Sequence, residues 1–349
     1  MQLHSRLLNA YLLVAVNDLY PFDLSVEVER FLKEHDSYLL LGHQDPDGDC
    51  LASPLALASF LSRRGKRTRT FCEGPFSRPE IADFESRFAK SVTPEDRVGD
   101  TAVIIMDCST ASRTGEPGKG IEGLPTLVID HHAAGEPFGD EQLIEPSIPA
   151  TALIVQGIIE LLGDRPTKKE ADLLLFATCT DTGFFRHLRK ETGYVFRAIA
   201  RLVDVGASTE KAYQTMFGAR PFERRLMLGR MLSRAEQLYD GLLLYTEKYS
   251  SDRAELEDAG RGDDDLYSLL QTVVGVEALL VVREEGPHEC SVSLRSTESL
   301  DVGSCASELG GGGHPQAAGC TFHGTVSEAK QAALAVLAPQ MERLHRERT

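Results

Sequence analysis

The sequence predicts an α/β protein in which a parallel sheet carries helices on both faces and a connecting helix leads to a smaller α/β domain. Apolar runs of strand length alternate with helix-like stretches through the first half of the chain. The runs at residues 101–106 and 125–129 are almost wholly apolar, which is typical of strands covered on both faces. At 349 residues, the chain is long enough for two domains that each bury a core.

The elements of the first half can be assigned in order. We expect strands at residues 38–41, 68–72, 101–106 and 125–129. Residues 53–61 predict a helix after the first of these strands, and residues 149–162 predict another with Ser147 as its N-cap. Residues 167–170 have the sequence of a capping box, which indicates a further helix running into Asp181. Because helices separate these strands, the predicted sheet is parallel.

The second half of the chain is predicted to form a separate domain. Apolar residues at helical spacing, up to Leu238, predict a connecting helix at residues 219–240. The second domain, residues 241–349, should contain strands at 241–249, 278–283 and 290–295 and helices at 302–309 and 325–346. The acidic residues 251–265 are expected to form a solvated loop. The first domain then spans residues 25–218 and follows an extension of unassigned purpose at residues 1–24.

Composition restricts the classes of partner. The 37 Lys and Arg residues against 53 Asp and Glu residues give a formal charge of −16. This charge argues against binding of long nucleic acid, which depends on neutralising many phosphates, but it is compatible with small phosphorylated ligands. The seven cysteines include no C-x-x-C pair, and their odd number favours a reducing cytoplasm over a disulfide framework. The apolar run at residues 11–16 is too short to cross a membrane, so no membrane partner is expected.

An imidazole and three carboxylates follow the first predicted strand within seven residues, at His43, Asp45, Asp47 and Asp49. In an open α/β sheet, ligands bind outside the carboxyl ends of the strands. Carboxylate oxygens suit Mg²⁺ and Mn²⁺, and an imidazole shifts the preference toward Mn²⁺ or another transition metal. These residues would also make an ordinary Asp/Pro/Gly turn with a helix cap, so this segment alone leaves both interpretations open.

Polar residues also end three later elements. Asp107 follows the third predicted strand, Asp130, His131 and His132 follow the fourth, and Asp181 ends the capping-box helix. Each could serve alone as a turn residue, a helix cap or a hydrogen-bonding pair. Because all of them lie at one edge of the same predicted sheet, a two-metal site is the simplest common cause.

These residues form four motifs in order: His43-x-x-x-Asp47-x-Asp49, Asp107 at a strand end, Asp130-His131-His132, and Asp181-Thr182-Gly183-Phe184-Phe185-Arg186. In all four, the chain resembles the DHH phosphoesterase family. Residues 310–319 resemble the glycine-rich signature of the DHH-associated C-terminal domain. The resemblance covers about residues 25–345, and it is nearest to the small two-domain enzymes that degrade very short RNAs and dephosphorylate adenosine 3′,5′-bisphosphate (pAp). One departure is Asp45, where the pattern often has Asn.

The resemblance implies a role for each residue of the first domain, which would be catalytic. His43 and Asp47 would hold one metal, Asp107 would bridge two metals, and Asp49, His131 and Asp181 would complete the second site. Asp130 would orient an imidazole, as partners of metal-bound His do. His132 would lie against the scissile phosphate. Two Mn²⁺ ions, with Mg²⁺ or Co²⁺ as substitutes, would activate a bridging water. Gly48 would give the sharp turn between Asp47 and Asp49 its freedom.

The second domain would bind substrate. Four consecutive glycines at residues 310–313 let the backbone N–H groups face a phosphate, although a flexible linker is the alternative. By resemblance, Arg295 and His314 would hold a terminal phosphate or sugar beside Gly311, Gly312 and Gly313, and Arg186 would contribute from the first domain. A clamp on one domain and metals on the other would select short substrates, and the linker would act as a hinge.

Three functions follow as hypotheses. The first is a Mn²⁺-dependent phosphoesterase that releases 5′-mononucleotides from very short oligoribonucleotides and converts pAp to AMP. The second is a phosphodiesterase for cyclic di-AMP or linear pApA, and the third is a non-catalytic nucleotide-binding module, which the complete set of ligands disfavours. RNA against DNA preference stays open, as does a homodimer. Asp49→Ala or His131→Ala is expected to abolish turnover with the fold intact.

Overall fold

The computed structural model describes residues 19–108, 110–133, 135–218, 220–256, 264–297 and 299–348. Most of the predicted N-terminal extension and the middle of the predicted acidic loop lie outside these residues. The chain divides into two compact units, Met1–Ala219 and Arg220–Thr349.

The first unit alternates strands and helices. Its strands are β1 (Ser37–Leu41), β2 (Arg67–Phe71), β3 (Thr101–Met106), β4 (Thr126–Asp130) and β5 (Glu141–Ile144). Its helices are α1 (Val26–Glu34), α2 (Gly48–Arg63), α3 (Gly115–Gly118), α4 (Thr151–Leu161), α5 (Lys168–Asp181), α6 (Gly193–Asp204) and α7 (Thr209–Phe217). Short 3₁₀ helices occur at Ala82–Arg87, Pro94–Asp96 and Ala111–Thr114.

The five strands form one parallel sheet in the order β2-β1-β3-β4-β5, which confirms the predicted fold class. One face packs against α2 and α4 through side chains such as Leu40 and Ile104, and α5 packs on these two helices. The other face, which carries Leu39 and Val103, is covered mainly by loops that contain Val92, Leu124 and Phe138, and not by the helices predicted for it. The order in which successive strands are added reverses beside β1, since β2 lies on one side of β1 and β3 on the other. Such a switch point opens a crevice at the carboxyl ends of the strands.

The starts of two helices differ from the sequence prediction. Helix α2 begins at Gly48 rather than at residue 53, because the Asp47 carboxylate accepts the Cys50 N–H at 3.0 Å. Helix α4 begins at Thr151, so Ser147 is not its N-cap. The capping box of α5 is confirmed. The short edge strand β5 was not predicted, because only one of its four residues, Leu143, is buried.

The second unit contains a mixed sheet between two layers of helices. Its strands are β6 (Glu236–Leu238), β7 (Leu243–Lys248), β8 (Ala278–Gly286), β9 (Glu289–Ser296), β10 (Gly312–His314) and β11 (Ala317–Phe322), in the order β10-β11-β9-β8-β7-β6. Its helices are α8 (Phe222–Ser233), α9 (Ser250–Glu255), α10 (Asp264–Leu270), α11 (Val302–Glu308) and α12 (Val326–Arg348).

Helix α8 occupies the first part of the expected connecting helix. Its Met227 and Met231 pack against Leu244 and Val281 of the second sheet, so α8 contributes to the core of that unit. The helix ends at Ser233, and residues up to Leu238 are not helical, because β6 pairs antiparallel with β7. The opposite face of the same sheet packs against α11 and α12. Among the described residues, no helix is both long and apolar enough to cross a membrane.

Candidate metal centre

The residues of the four motifs meet at the carboxyl edge of the first sheet. His43 lies just beyond β1, Asp107 follows β3 in a left-handed conformation with φ of 55°, and Asp130 ends β4. Asp49 lies in the first turn of α2, and Asp181 is the last residue of α5. The switch point between β1 and β3 therefore gathers residues that are far apart in the sequence.

Three groups of donor atoms are close enough to share cations. Within each group, one atom per residue lies within 4.8 Å of the others, and the groups are Asp49, Asp107, His131 and Asp181, then His43, Cys50 and Asp107, then Asp107, Asp130, His131 and His132. Asp107 belongs to all three, as a bridging ligand would. Asp47 belongs to none of the groups found among the described residues, because its carboxylate caps α2.

His131 presents an unsatisfied nitrogen to this cluster. Its Nδ1 lies 3.2 Å from the carbonyl oxygen of Ile148, which can only accept, so Nδ1 carries the proton. Its Nε2 lies 3.0 Å from Asp181 Oδ2 and 3.4 Å from Asp107 Oδ1. Nevertheless, His131 Nε2 and Asp107 Oδ2 are buried without a hydrogen-bond partner among the described residues. Buried polar atoms are rarely left so, and a divalent cation between them would satisfy both.

His43 is held in the same way as His131, with Nδ1 bonded to a backbone carbonyl oxygen and Nε2 facing Asp107. Its Nδ1 lies 2.7 Å from the carbonyl oxygen of Gln44 and donates to it, which leaves Nε2 as the free donor atom. Nε2 lies 3.6 Å from Asp107 Oδ2. Both imidazoles therefore direct a lone pair toward the same carboxylate, and the residues fit a centre with two cations.

The charges of the cluster also favour cations. Burial alone would lower the pKa of His131, but Asp107 and Asp181 raise it to about 11. Burial, with repulsion from Asp107 added, raises the pKa of Asp181 to about 6, although the hydrogen bond from His131 opposes the shift. Burial likewise raises the pKa of Asp49 well above its usual value, with repulsion from Asp181 and Asp107. The buried carboxylates therefore have too few positive charges nearby to balance their own. Bound cations would supply the missing positive charge.

Asp49 has a second, structural role. Its carboxylate accepts hydrogen bonds from Thr151 N at 2.6 Å, Ala152 N at 3.0 Å and Ser53 Oγ at 2.5 Å. It therefore caps α4 from another helix, which explains why α4 begins without a capping side chain of its own. The expectation that Asp49→Ala leaves the fold intact is revised for this reason.

Asp130 organises the second histidine of its motif. Its Oδ1 accepts hydrogen bonds from His131 N at 2.7 Å, His132 N at 3.1 Å and His132 Nδ1 at 2.7 Å. This carboxylate, with burial opposing, raises the pKa of His132. The His132 side chain is 40% exposed, so it combines a fixed orientation with access to a ligand.

The prediction from the sequence assigned the wrong reason to one glycine of the centre and missed one arginine. Gly48 does not have positive φ, and a Cβ there would lie 2.4 Å from Thr180 Cγ2, so close packing rather than a sharp turn requires glycine. Arg113, in a 3₁₀ helix after β3, places Nη2 at 3.3 Å from His43 Nδ1. No sequence signal marks Arg113, because its position depends on the left-handed turn at Asp107.

Arg186 follows a strained turn beyond α5. Phe184 and Phe185 both have positive φ, at 56° and 73°, which is unusual for bulky side chains. The Arg186 side chain is exposed and lies beside the next residue, with Nε at 3.2 Å from His187 Nε2. The structure thus shows no direct contact between Arg186 and the described metal-ligand candidates.

The predicted substrate residues of the second unit lie side by side on three strands. His314 of β10 pairs with Ala317 of β11, which in turn pairs with Arg295 of β9. The Arg295 guanidinium lies 4.3 Å from the ring centre of Tyr267.

The glycine-rich segment is ordered and closely packed. Gly312–His314 forms β10, so the flexible-linker alternative is wrong. A Cβ on Gly311 would lie 2.2 Å from Gly319 O, and a Cβ on Gly313 would lie 2.5 Å from Ala317 O. These glycines allow close approach of two backbones. Gly312 has open space around its Cβ position and an exposed backbone.

The fold and the site together define a protein that gathers carboxylates and imidazoles for divalent cations at the switch point of a parallel sheet. A model described as the DHH family, N-terminal domain, matches residues 37–178, and a DHHA1 domain model matches residues 264–342. The chain is 32% identical over 292 residues to the bifunctional oligoribonuclease and PAP phosphatase NrnA of Thermus thermophilus, covering 81% of this chain and 83% of that protein. The chain therefore belongs to the DHH family of phosphoesterases.

Two further similarities are more distant. The chain is 25% identical over 325 residues to the cyclic-di-AMP phosphodiesterase GdpP of Geobacillus thermodenitrificans, covering 88% of this chain but only 48% of that protein. The crystal structure of an exopolyphosphatase-related protein from Bacteroides fragilis superimposes with a TM-score of 0.74 at 21% identity, covering 92% of this chain and 96% of that one. The latter similarity shows the fold alone.

Proposed function

We propose that this protein is a Mn²⁺-dependent phosphoesterase that degrades very short oligoribonucleotides to 5′-mononucleotides and converts pAp to AMP. The observation that carries this proposal is the shared position of Asp107 between two inward-facing imidazoles, with His131 Nε2 and Asp107 Oδ2 buried and unsatisfied. The mixture of imidazole and carboxylate donors suits Mn²⁺. The proposed substrates are those of the relative that is 32% identical to this chain and whose name states both activities.

Each residue of the centre has a proposed role. His43 and Asp47 would hold one cation, Asp49, His131 and Asp181 would hold the other, and Asp107 would serve both. When bound, the cations supply Lewis acidity and an activated water. Thr151 Oγ1 donates to Asp107 Oδ1 at 3.0 Å and fixes the orientation of that carboxylate. Water adds to phosphorus, the bond between phosphorus and the 3′ oxygen of the leaving nucleotide breaks, and that oxygen takes up the proton that the water loses.

His132 is the proposed contact to the scissile phosphate. Its Nδ1 donates to Asp130, which directs Nε2 away from that carboxylate. The raised pKa favours the protonated ring, so Nε2–H can donate to a phosphoryl oxygen or to the leaving oxygen. Asp130 acts through His132 and orients it.

Arg295 and His314 are the proposed contacts to a terminal phosphate or sugar. The two residues lie on the strands that flank β11, and both pair with Ala317 of that strand. The exposed backbone of Gly312 lies near His314 in β10. A guanidinium held against an aromatic ring keeps its fixed charge and its fork of donors for a phosphate. Arg186, which is exposed, is proposed as a separate substrate contact within the first unit.

Arg113 is proposed as a phosphate contact beside the first cation. Because His43 Nδ1 donates to Gln44, it cannot accept from Arg113, so their 3.3 Å approach is not a hydrogen bond. No ion pair joins Arg113 to a carboxylate within the part of the chain that the structure describes. A fixed cation that is left without a carboxylate next to an acidic centre is suited to an anionic substrate.

Arg113→Ala is expected to lower kcat/KM for pAp by about 10- to 100-fold, since a hydrogen bond to a charged group contributes about 1.5–3 kcal/mol. Mn²⁺ affinity should not change, because Arg113 offers no donor atom to a cation. Steady-state kinetics and a Mn²⁺ titration check both statements. Arg97→Ala removes an exposed arginine whose Nη2 contacts the Glu122 carbonyl oxygen, and it serves as the matched control. Equal effects of the two substitutions would contradict the role of Arg113.

The proposed function is tested by product release from pAp, pApA, a short RNA, a long RNA and cyclic di-AMP, after Mn²⁺ is added to metal-stripped protein. We expect AMP from pAp and mononucleotides from the short RNA, with little product from the long RNA. Preference for cyclic di-AMP would assign the protein to the function of its more distant relative. No turnover of any of these compounds would contradict an enzymatic role.

A further inference from the structure

The backbone N–H and C=O groups of His43 are each held by a sulfur atom. His43 N donates to Cys50 Sγ at 3.0 Å, and Cys72 Sγ donates to His43 O at 3.3 Å. The neighbouring N–H groups of Gly42 and Gln44 bond instead to backbone carbonyl oxygens, at 3.1 Å and 2.7 Å. The loop beyond β1 is therefore fixed by backbone bonds, except at the residue that faces the cations.

Cys50 connects two of the proposed ligands of the first cation. Its sulfur accepts the His43 N–H, and its own N–H donates to Asp47 Oδ1 at 3.0 Å. Cys50 Sγ also lies 3.7 Å from His43 O, so it contacts both the backbone N–H and the backbone C=O of His43. A shift of this one residue would therefore displace His43 and Asp47 together.

The two sulfurs occupy a closed and tightly packed position. Cys50 and Cys72 are both fully buried, at 0% exposure. A Cβ on Gly42 would lie only 2.6 Å from Cys50 Sγ, so the loop passes directly over this sulfur. Cys72 comes immediately after β2, and it thereby connects the His43 loop to the neighbouring strand. Since water cannot replace bonds at this depth, losing the Cys50 thiol would leave the His43 N–H without its acceptor. Losing the Cys72 thiol would leave His43 O with only the longer contact to Cys50 Sγ, at 3.7 Å.

We propose that Cys50 and Cys72 are positioning residues for the first cation. They hold the backbone of His43 so that the imidazole Nε2 faces Asp107, and neither sulfur binds the cation. This inference rests on the proposed function through the role of His43. Groups that orient a metal ligand commonly change metal affinity by about 10- to 100-fold when they are removed. The thiols thus set the affinity of one of the two cation positions.

The test is a Mn²⁺ titration of the metal-stripped protein, followed by electron paramagnetic resonance. We expect Cys50→Ala and Cys72→Ala to weaken one of the two Mn²⁺ positions by about tenfold and to leave the other unchanged. Cys50→Ser and Cys72→Ser should restore most of the affinity, because a hydroxyl group can both accept and donate. Cys290→Ala is the matched control, since this buried thiol donates to Gly324 O at 3.4 Å in the second unit.

A double-mutant cycle separates positioning from general damage to the fold. In a His43→Ala background, Cys50→Ala should cause no further loss of Mn²⁺ affinity, because the thiol acts only through His43. Cys72→Val, which fills the space of the sulfur without a donor, provides a second variant if Cys72→Ala does not fold. Wild-type affinity at both positions in every folded Ala or Val variant would overturn the proposal.

Direct ligation by sulfur is excluded by a separate measurement. Co²⁺ bound to a thiolate gives a charge-transfer absorption in the near ultraviolet, and our proposal predicts none. Such a band that disappears in Cys50→Ala would make Cys50 a ligand and overturn the positioning role. If the wild-type protein bound no Mn²⁺ at all, the proposed function would fail before the thiols were tested.

Discussion

Asp107→Asn is expected to lower the turnover of pAp by about three orders of magnitude, which corresponds to about 4 kcal/mol of transition-state stabilisation. Asp107 is common to every donor group in the cluster, so its loss weakens both cation positions. Asn keeps the shape of the side chain and can still accept the hydrogen bond from Thr151 Oγ1, and the fold should therefore survive. Initial rates and the Mn²⁺ stoichiometry measure the effect.

A suitable control for this substitution lies at the opposite end of the same sheet. Asp140 Oδ2 accepts the Thr126 N–H at 2.8 Å at the start of β4, away from the cluster. Asp140→Asn should leave turnover and stoichiometry near their original values. If Asp107→Asn retained two bound Mn²⁺ ions and more than about a tenth of the activity, the bridging role would be wrong.

Asp49→Ala is expected to destabilise the first unit by about 3 kcal/mol, in addition to abolishing turnover. The substitution leaves Thr151 N and Ala152 N buried without an acceptor at the start of α4. A loss of this size corresponds to a fall of roughly 6–12 °C in melting temperature. Thermal unfolding in the presence of a chelator measures it, since the cation then contributes to neither variant.

Asp301→Ala provides the comparison for Asp49. Asp301 caps α11 by accepting the N–H groups of Gly303 and Ser304, but it is exposed to water. Its loss should destabilise the second unit by only about 1 kcal/mol. Equal destabilisation by the two substitutions would contradict the claim that burial makes the Asp49 cap important.

The fold and the donor set could be predicted because their signals are local in the sequence. The buried strands are continuous apolar runs, and a parallel sheet brings the residues that follow β1, β3 and β4 to one edge. His43, Asp107 and His131 therefore converge without any knowledge of the side-chain packing. The capping box at Thr167 is equally local and was correctly predicted.

The remaining features depend on contacts between distant residues. Asp49 caps a helix that begins more than a hundred residues later, so no window of sequence could assign the start of α4. Position 48 requires glycine because Thr180 packs against it, and not because the chain turns there. The thiols of Cys50 and Cys72 meet at His43 only after β2 and α2 are in place. Short elements such as β6 form because a neighbouring strand offers hydrogen-bond partners, although the spacing of the apolar residues there is helical.

The central claim is that two cations share Asp107. Electron paramagnetic resonance of the protein loaded with two equivalents of Mn²⁺ tests it most directly. We predict a spin-coupled spectrum from a close Mn²⁺ pair, which Asp107→Asn converts to the signal of isolated or free ions. A spectrum of isolated ions from the wild-type protein, at any loading, would contradict a shared carboxylate and with it the proposed two-metal chemistry.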